Sequence, residues 1–339
     1  MTRYERVMAA LSLGEPDVTP VVHTWNAFTY RHAGYTFSEC NTDGRKHVEA
    51  QLKCLEDFGV DAVWAPTATG PLCEACGADV RYLDDNPPVN GPGVVKTDED
   101  IASLGFTSVR DAGRIPWVLE TTRNLRKGVG REIPIFAVVP SPHTIADALR
   151  GTQELFKDFV RRPALVEALI DKCVAPAVEF ADLVAEAGAN VAWVPEPLCS
   201  GTCISRMHYV RFVYPYTRRL FLALRGQGIK SVHHVCGDWH DRLDLSHDGP
   251  TALHLAAEAD LAEVKATYGS KVALMGNIRS VDLLFGTPEA VAGETRDCLA
   301  RGASGGGFIL SCDCSLPPGS PKENVLAVTT VARSRPGGR

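Results

Sequence analysis

The sequence predicts an α/β protein built as a single (β/α)8 TIM barrel, and three observations lead there. Eight short β-branched or apolar runs alternate with longer stretches of helical periodicity, the pattern of parallel β-α units. No Gly-rich dinucleotide fingerprint follows the first run, which disfavours an open doubly wound sheet. The 339 residues contain no linker or internal repeat that would divide them, and one barrel routinely exceeds roughly 200 residues.

The elements follow in order. An N-terminal helix around 4–13 precedes the first run, Val18-Thr19-Pro20-Val21-Val22-His23. A helix over 44–58 leads into the run at 60–65. The Gly- and Pro-rich segment at about 67–95 is expected to be an elaborated loop of the same domain. A helix around 116–126, its proline tolerated in the first turn, precedes the run at 133–139. A long helix at about 163–187 leads to 190–194, and another at 205–225 leads to 229–234. The run at 252–255 is shorter, and a helix near 260–267 separates it from 272–275. Thr287 as N-cap and Pro288 at the first helical position open the next helix. Gly302–Gly307 reads as a flexible turn, because it lacks the Lys-Ser/Thr of a phosphate loop. The last run is 307–310, before a closing helix from about Pro321.

Composition narrows the function. Thirty-five basic against 41 acidic residues leave a net charge of −6, with no long-range attraction for a phosphate backbone, so nucleic-acid binding is not expected. No apolar run reaches the roughly 18–20 residues that span a bilayer, so no membrane span is expected. Met1-Thr2-Arg3-Tyr4-Glu5-Arg6 lacks the profile of a signal peptide. The expected location is cytoplasmic. Eleven cysteines cannot all pair, and in a reducing compartment most should be buried thiols. Cys73-Glu74-Ala75-Cys76, with no second CxxC, reads as packing, and so do Cys199 and Cys203.

In a barrel of this kind chemistry sits at the C-terminal strand ends. His23-Thr24-Trp25-Asn26, Pro195-Glu196-Pro197, His234-Val235-Cys236-Gly237-Asp238, Gly276-Asn277 and Ser311-Cys312-Asp313-Cys314 all follow predicted strands. His234 and Cys236 lie one residue apart, so in extended chain both leave the same face, with His233 on the other. Cys312 and Cys314 share that relation on the last strand. An imidazole–thiolate set is what Zn²⁺ prefers, and three protein ligands leave a fourth position for substrate. Spacing alone leaves the choice between Cys312 and Cys314 open.

At these residues the sequence resembles the uroporphyrinogen decarboxylase superfamily, and within it the zinc-dependent methylcobamide:thiol (coenzyme M) methyltransferase branch. Three stretches carry the resemblance. They are the opening Arg3-Tyr4-Glu5-Arg6-Val7-Met8 with Pro16-Asp17, the element His234-Val235-Cys236-Gly237, and the stretch from Met275-Gly276-Asn277 through Gly286-Thr287-Pro288-Glu289 to Cys314 and Pro321-Lys322-Glu323-Asn324. The family's last metal ligand stands seven residues before the proline of a Thr/Ser-Pro-x-Glu-Asn run, and Cys314 to Pro321 has that spacing. The resemblance therefore implies Zn²⁺ on His234, Cys236 and Cys314. It also implies a (β/α)8 fold and transfer of a methyl group, from a methylcorrinoid such as methylcobalamin, to a zinc-activated thiol. The partners it implies are a small thiol and a corrinoid protein.

His23, Trp25, Glu196 and Asn277 are expected at the substrate, Glu196 and Asn277 also in catalysis. Two departures stand beside this. Family decarboxylases carry an arginine-rich element for a polycarboxylate tetrapyrrole, and the corresponding run here, Arg31-His32-Ala33-Gly34-Tyr35, keeps one arginine. The stretch Ser246-His247-Asp248-Gly249-Pro250 also leaves the usual methyltransferase pattern. A decarboxylase-like lyase, or another zinc reaction on a small molecule, is the alternative expectation.

Overall fold

The strands of the computed structural model, which describes residues 1–84, 86–106 and 108–334, fall within or beside the apolar runs, except β2 and β3. In chain order they are β1 (Val63–Trp64), β2 (Val80–Arg81), β3 (Val89–Asn90), β4 (Ile135–Val138), β5 (Val191–Pro195), β6 (Lys230–Val235), β7 (Ala252–Leu255), β8 (Ala273–Ile278) and β9 (Phe308–Cys312). β1 and β4 through β9 form one parallel sheet in chain order, with helices between successive strands. Its strands are buried on both faces, so they read as continuous apolar runs rather than as alternation.

The first predicted run closes the barrel without becoming a regular strand. Val21 bridges Leu310 and Thr24 bridges Ser315, both in parallel. The Val22 N–H donates to the Leu310 carbonyl at 2.9 Å, and the Asp61 N–H to the Val21 carbonyl at 2.8 Å. Regular pairing fails for a chemical reason. Pro20 has no N–H to donate, and the Val21 N–H is taken by the Asp61 carboxylate at 2.7 Å. Asp61, wholly buried, also accepts from Arg6 on the N-terminal helix at 2.7 Å and from Arg333 on the closing helix. One carboxylate thus ties both ends of the chain to the seam.

Three expected elements are subdivided. The helix at 163–187 is two, Pro163–Lys172 and Val174–Glu186, because Pro176 has no N–H for the Lys172 carbonyl. That at 205–225 is Arg206–His208, a π-turn at Tyr209–Val213 and Tyr214–Gly226; Pro215 removes the bond to Arg211. The segment at 67–95, expected as loop, holds the helix Thr69–Ala75 and the antiparallel β2–β3 pair.

The interior also encloses histidines without charge partners. Burial pushes His23 and His47 down to about 4 from 6.5. His47 lies between the Tyr30 hydroxyl and the Trp64 carbonyl, 2.9 Å from each. Each of these rings takes up a proton on unfolding wherever the pH lies between its folded and unfolded values. The stability they contribute is therefore complete above about 6.5 and is lost toward about 4, at about 1.4 kcal/mol per pH unit per ring. Urea unfolding at pH 7 and pH 5 is expected to show the midpoint falling with pH, and His47→Gln is expected to flatten that slope. A slope unchanged by the substitution contradicts the assignment.

Candidate metal centre and the adjoining cavity

β6 ends in His233-His234-Val235, with the two histidines on opposite faces. After it the chain turns at Gly237, whose φ of +77° is left-handed and whose added Cβ would lie 3.1 Å from Ser200 Oγ. That turn sets Cys236 beside His234. Cys314 arrives in the turn after β9, its Sγ 3.8 Å from His234 Nε2. The ligand atoms of His234, Cys236 and Cys314 all lie within 4.8 Å of one another. The hydrogen bond from Cys236, ahead of the contact with His234, holds Cys314 well below the ordinary thiol range, while the same bond pushes Cys236 up. The pair therefore behaves as one thiolate held by one thiol.

A tetrahedral Zn²⁺ with bonds of about 2.0–2.3 Å needs ligand atoms about 3.5–3.8 Å apart. The donor chemistry fits, and the 3.8 Å between Cys314 Sγ and His234 Nε2 lies at that spacing. Cys312, two residues earlier, is turned inward: its thiol donates to the Cys314 carbonyl at 2.9 Å, and burial pushes it up to about 12.

Two residues that the sequence reading passed over hold the His234 ring. Trp193 of β5 stacks on it at 4.6 Å and 23°, and His254 of β7 lies 4.6 Å away. The Trp193 N–H donates to His254 Nδ1 at 3.2 Å, and His254 Nε2 meets the Cys312 carbonyl at 2.7 Å. One chain of contacts so joins β5, β7 and β9 around the imidazole. The signal for His254 was its position: it pairs with His234 across β6 and β7.

The other expected site residues divide. Glu196 is wholly buried, with Oε2 3.0 Å from His233 Nε2 and Oε1 accepting from Thr217. Burial pushes its carboxyl up, but His233, with help from Thr217, outweighs that and leaves it lowered. It lies with the outward-facing His233 and does not line the cavity described below. Asn277 is also occupied: its Nδ2 donates to the Ala256 and Ala259 carbonyls at 3.1 and 3.0 Å, pinning the turn after β7. His23 is sealed in the interior, its Nδ1 accepting from the Cys312 N–H at 3.2 Å. Each of these three side chains has polar atoms engaged by protein groups from other elements, while the buried His23 Nε2 has no partner among the described residues. Cys73, Cys76 and Cys199 are buried, whereas Cys203 is exposed.

Trp25 does face a cavity. It has a volume of about 210 Å³, lies on the Trp193 side of the triad and reaches Ser315, the neighbour of Cys314. Trp25, Trp64, Trp117 and Trp193 are on its wall, and Arg114 is the one charged residue there among the described residues. Arg31, the remainder of the arginine-rich element, is exposed on the helix Asn26–His32.

A sequence profile of the family described as uroporphyrinogen decarboxylase (URO-D) matches residues 2–335. The chain belongs to the URO-D family. Among its relatives, the chain is 25% identical over 341 residues to a "Methylated-thiol--coenzyme M methyltransferase" of Methanosarcina mazei, covering 99% of this chain and 90% of that protein. It is 28% identical over 340 residues to the "Methylcobamide:CoM methyltransferase MtaA" of Methanosarcina barkeri, covering 96% of each. A solved structure titled "methyltransferase from Methanosarcina mazei" superposes with a TM-score of 0.90 at 25% identity, covering 98% of both chains. Within the URO-D family the fold is thus a (β/α)8 barrel, and among the described residues no helix is long and apolar enough to cross a membrane.

Proposed function

We propose that this enzyme transfers a methyl group from a methylated corrinoid to a thiol, with Zn²⁺ held by His234, Cys236 and Cys314. The observation that carries the reading is the triad of one imidazole and two sulfurs, within 4.8 Å of one another, at the strand ends of the barrel. Relatives named as methylcobamide:CoM methyltransferases support the same reading. When bound, Zn²⁺ supplies the Lewis acidity that keeps a thiol deprotonated near neutral pH.

The rest falls to the chain. Cys314, already favoured as thiolate by Cys236, needs little proton loss to become a ligand. Trp193 and His254 fix the plane of the His234 ring. The tryptophan-lined cavity gives the thiol's organic portion an apolar seat and keeps water from its sulfur. A corrinoid protein meeting the strand-end face and a cytoplasmic location complete the reading. A polycarboxylate substrate is disfavoured by the single arginine among the described residues of the cavity wall.

The test is direct. Zinc-loaded protein given methylcobalamin and coenzyme M is expected to form the methyl thioether, seen by mass spectrometry, as the corrinoid spectrum changes. Folded, zinc-loaded protein that methylates none of a panel of thiols, coenzyme M and mercaptobenzoates among them, contradicts the proposal.

A further inference from the structure

The cavity beside the triad has a polar complement that its aromatic walls do not explain. Four of the chain's five tryptophans line it. Two of them spend their N–H groups in the barrel interior: Trp64 donates to the His23 carbonyl at 2.7 Å and Trp193 to His254 at 3.2 Å. The other two, Trp25 and Trp117, have buried N–H groups with no acceptor among the described residues, and so does the buried Thr24 hydroxyl. Thr24 and Trp25 are themselves more than nine-tenths buried. A buried donor without an acceptor costs about 1–3 kcal/mol, and all three donors belong to residues of the cavity wall. Arg114 adds a charge to the same wall. Its guanidinium lies 3.7 Å from the centre of the Tyr82 ring, Nη1 donates to the Asn41 carbonyl at 2.9 Å, and Glu74 lies 3.6 Å from Nε.

An aromatic enclosure by itself suits a quaternary ammonium as well as a flat ring. The polar groups decide between them. A cation would meet Arg114 and unused N–H donors, with no carboxylate among the described residues of the cavity wall. A flat ring carrying an anionic oxygen group has both complements: aryl faces for the indoles and acceptors for the donors and the guanidinium.

We propose that this cavity binds a small aromatic acid, a ring bearing a carboxylate or another anionic oxygen, seated between the indole faces with its oxygens toward Arg114 and the Trp117 N–H. The inference rests on the methyl-transfer reading only for the reaction, where it names the thiol as an aryl thiol acid. Binding needs neither metal nor corrinoid.

The probe is benzoate, which has no thiol and no methyl group to transfer. Titrated into the full-length protein, it is expected to change tryptophan fluorescence saturably, with cyclohexanecarboxylate binding more weakly and benzyltrimethylammonium not at all. Arg114→Gln is expected to raise the benzoate Kd by about 10–100-fold, the worth of a charge-assisted hydrogen bond. Trp117→Phe keeps the ring, loses the N–H and is expected to weaken binding less. Cys236→Ser is expected to leave benzoate binding intact. Near-UV circular dichroism confirms that each variant is folded. No saturable benzoate signal in wild type, equal binding of benzyltrimethylammonium, or unchanged affinity in both cavity variants overturns the inference. Methyl transfer without benzoate binding removes this inference alone, whereas benzoate binding without methyl transfer removes only the proposed reaction.

Discussion

Cys236→Ser and Cys314→Ser are each expected to lose the bound zinc, about one equivalent in the wild type, and with it methyl transfer. A serine hydroxyl stays protonated near neutrality and offers no soft donor, so two ligands remain in each variant. The activity lost is expected to exceed the roughly 10–100-fold that follows removal of a ligand's hydrogen-bond partner. In a further variant, Cys236→Ala, the donor that holds the Cys314 thiolate is gone, so free Cys314 is expected to react more slowly with a thiol probe at pH 6 than in the metal-free wild type. Cys312→Ser is the comparison, because that thiol donates to a backbone carbonyl and lies outside the triad. It is expected to retain zinc. Elemental analysis of the three proteins checks the set, and metal-free protein with undiminished turnover overturns the metal assignment.

Glu196→Ala is expected to cost about 3–5 kcal/mol of stability, since it leaves His233 and Thr217 buried without their partner. Glu196→Gln keeps an oxygen for one of them and is expected to cost less, about 1–2 kcal/mol. The pair of variants separates two roles. A residue acting on substrate would lose turnover in the glutamine variant while the fold stayed intact. A residue holding β6 in place would lose stability first, and the folded glutamine variant would turn over within a few-fold of wild type. The structure favours the second, because the buried Glu196 carboxylate is held between His233 of β6 and Thr217. Denaturant unfolding together with turnover of the folded fraction checks it. Normal stability with turnover reduced about 100-fold would return Glu196 to the substrate.

The residues differ in how far the chain alone reveals them. His234 and Cys236 were legible because a period of two places both on one face at a strand end. The local period alone did not separate Cys312 from Cys314, which share it; the family resemblance, through the seven-residue spacing from Cys314 to Pro321, implied Cys314. The turn after β9 separates them by folding one thiol onto a backbone carbonyl and the other onto His234. Glu196 and Asn277 stand at strand ends as expected, but a strand end does not state which way a side chain turns once the strand has stopped. His233 and Thr217 capture the first, and the Ala256 and Ala259 carbonyls capture the second.

By itself the sequence determined the barrel, through alternating apolar runs and helical periods, and two of the three metal-competent groups, through local spacing. Both are properties of neighbours along the chain. Tertiary structure alone decided that Trp193 and His254 grip the imidazole and that four tryptophans and Arg114 share one cavity. Those groups come from different strands and loops, and their contacts exist only once the barrel closes at the Val21–Leu310 seam.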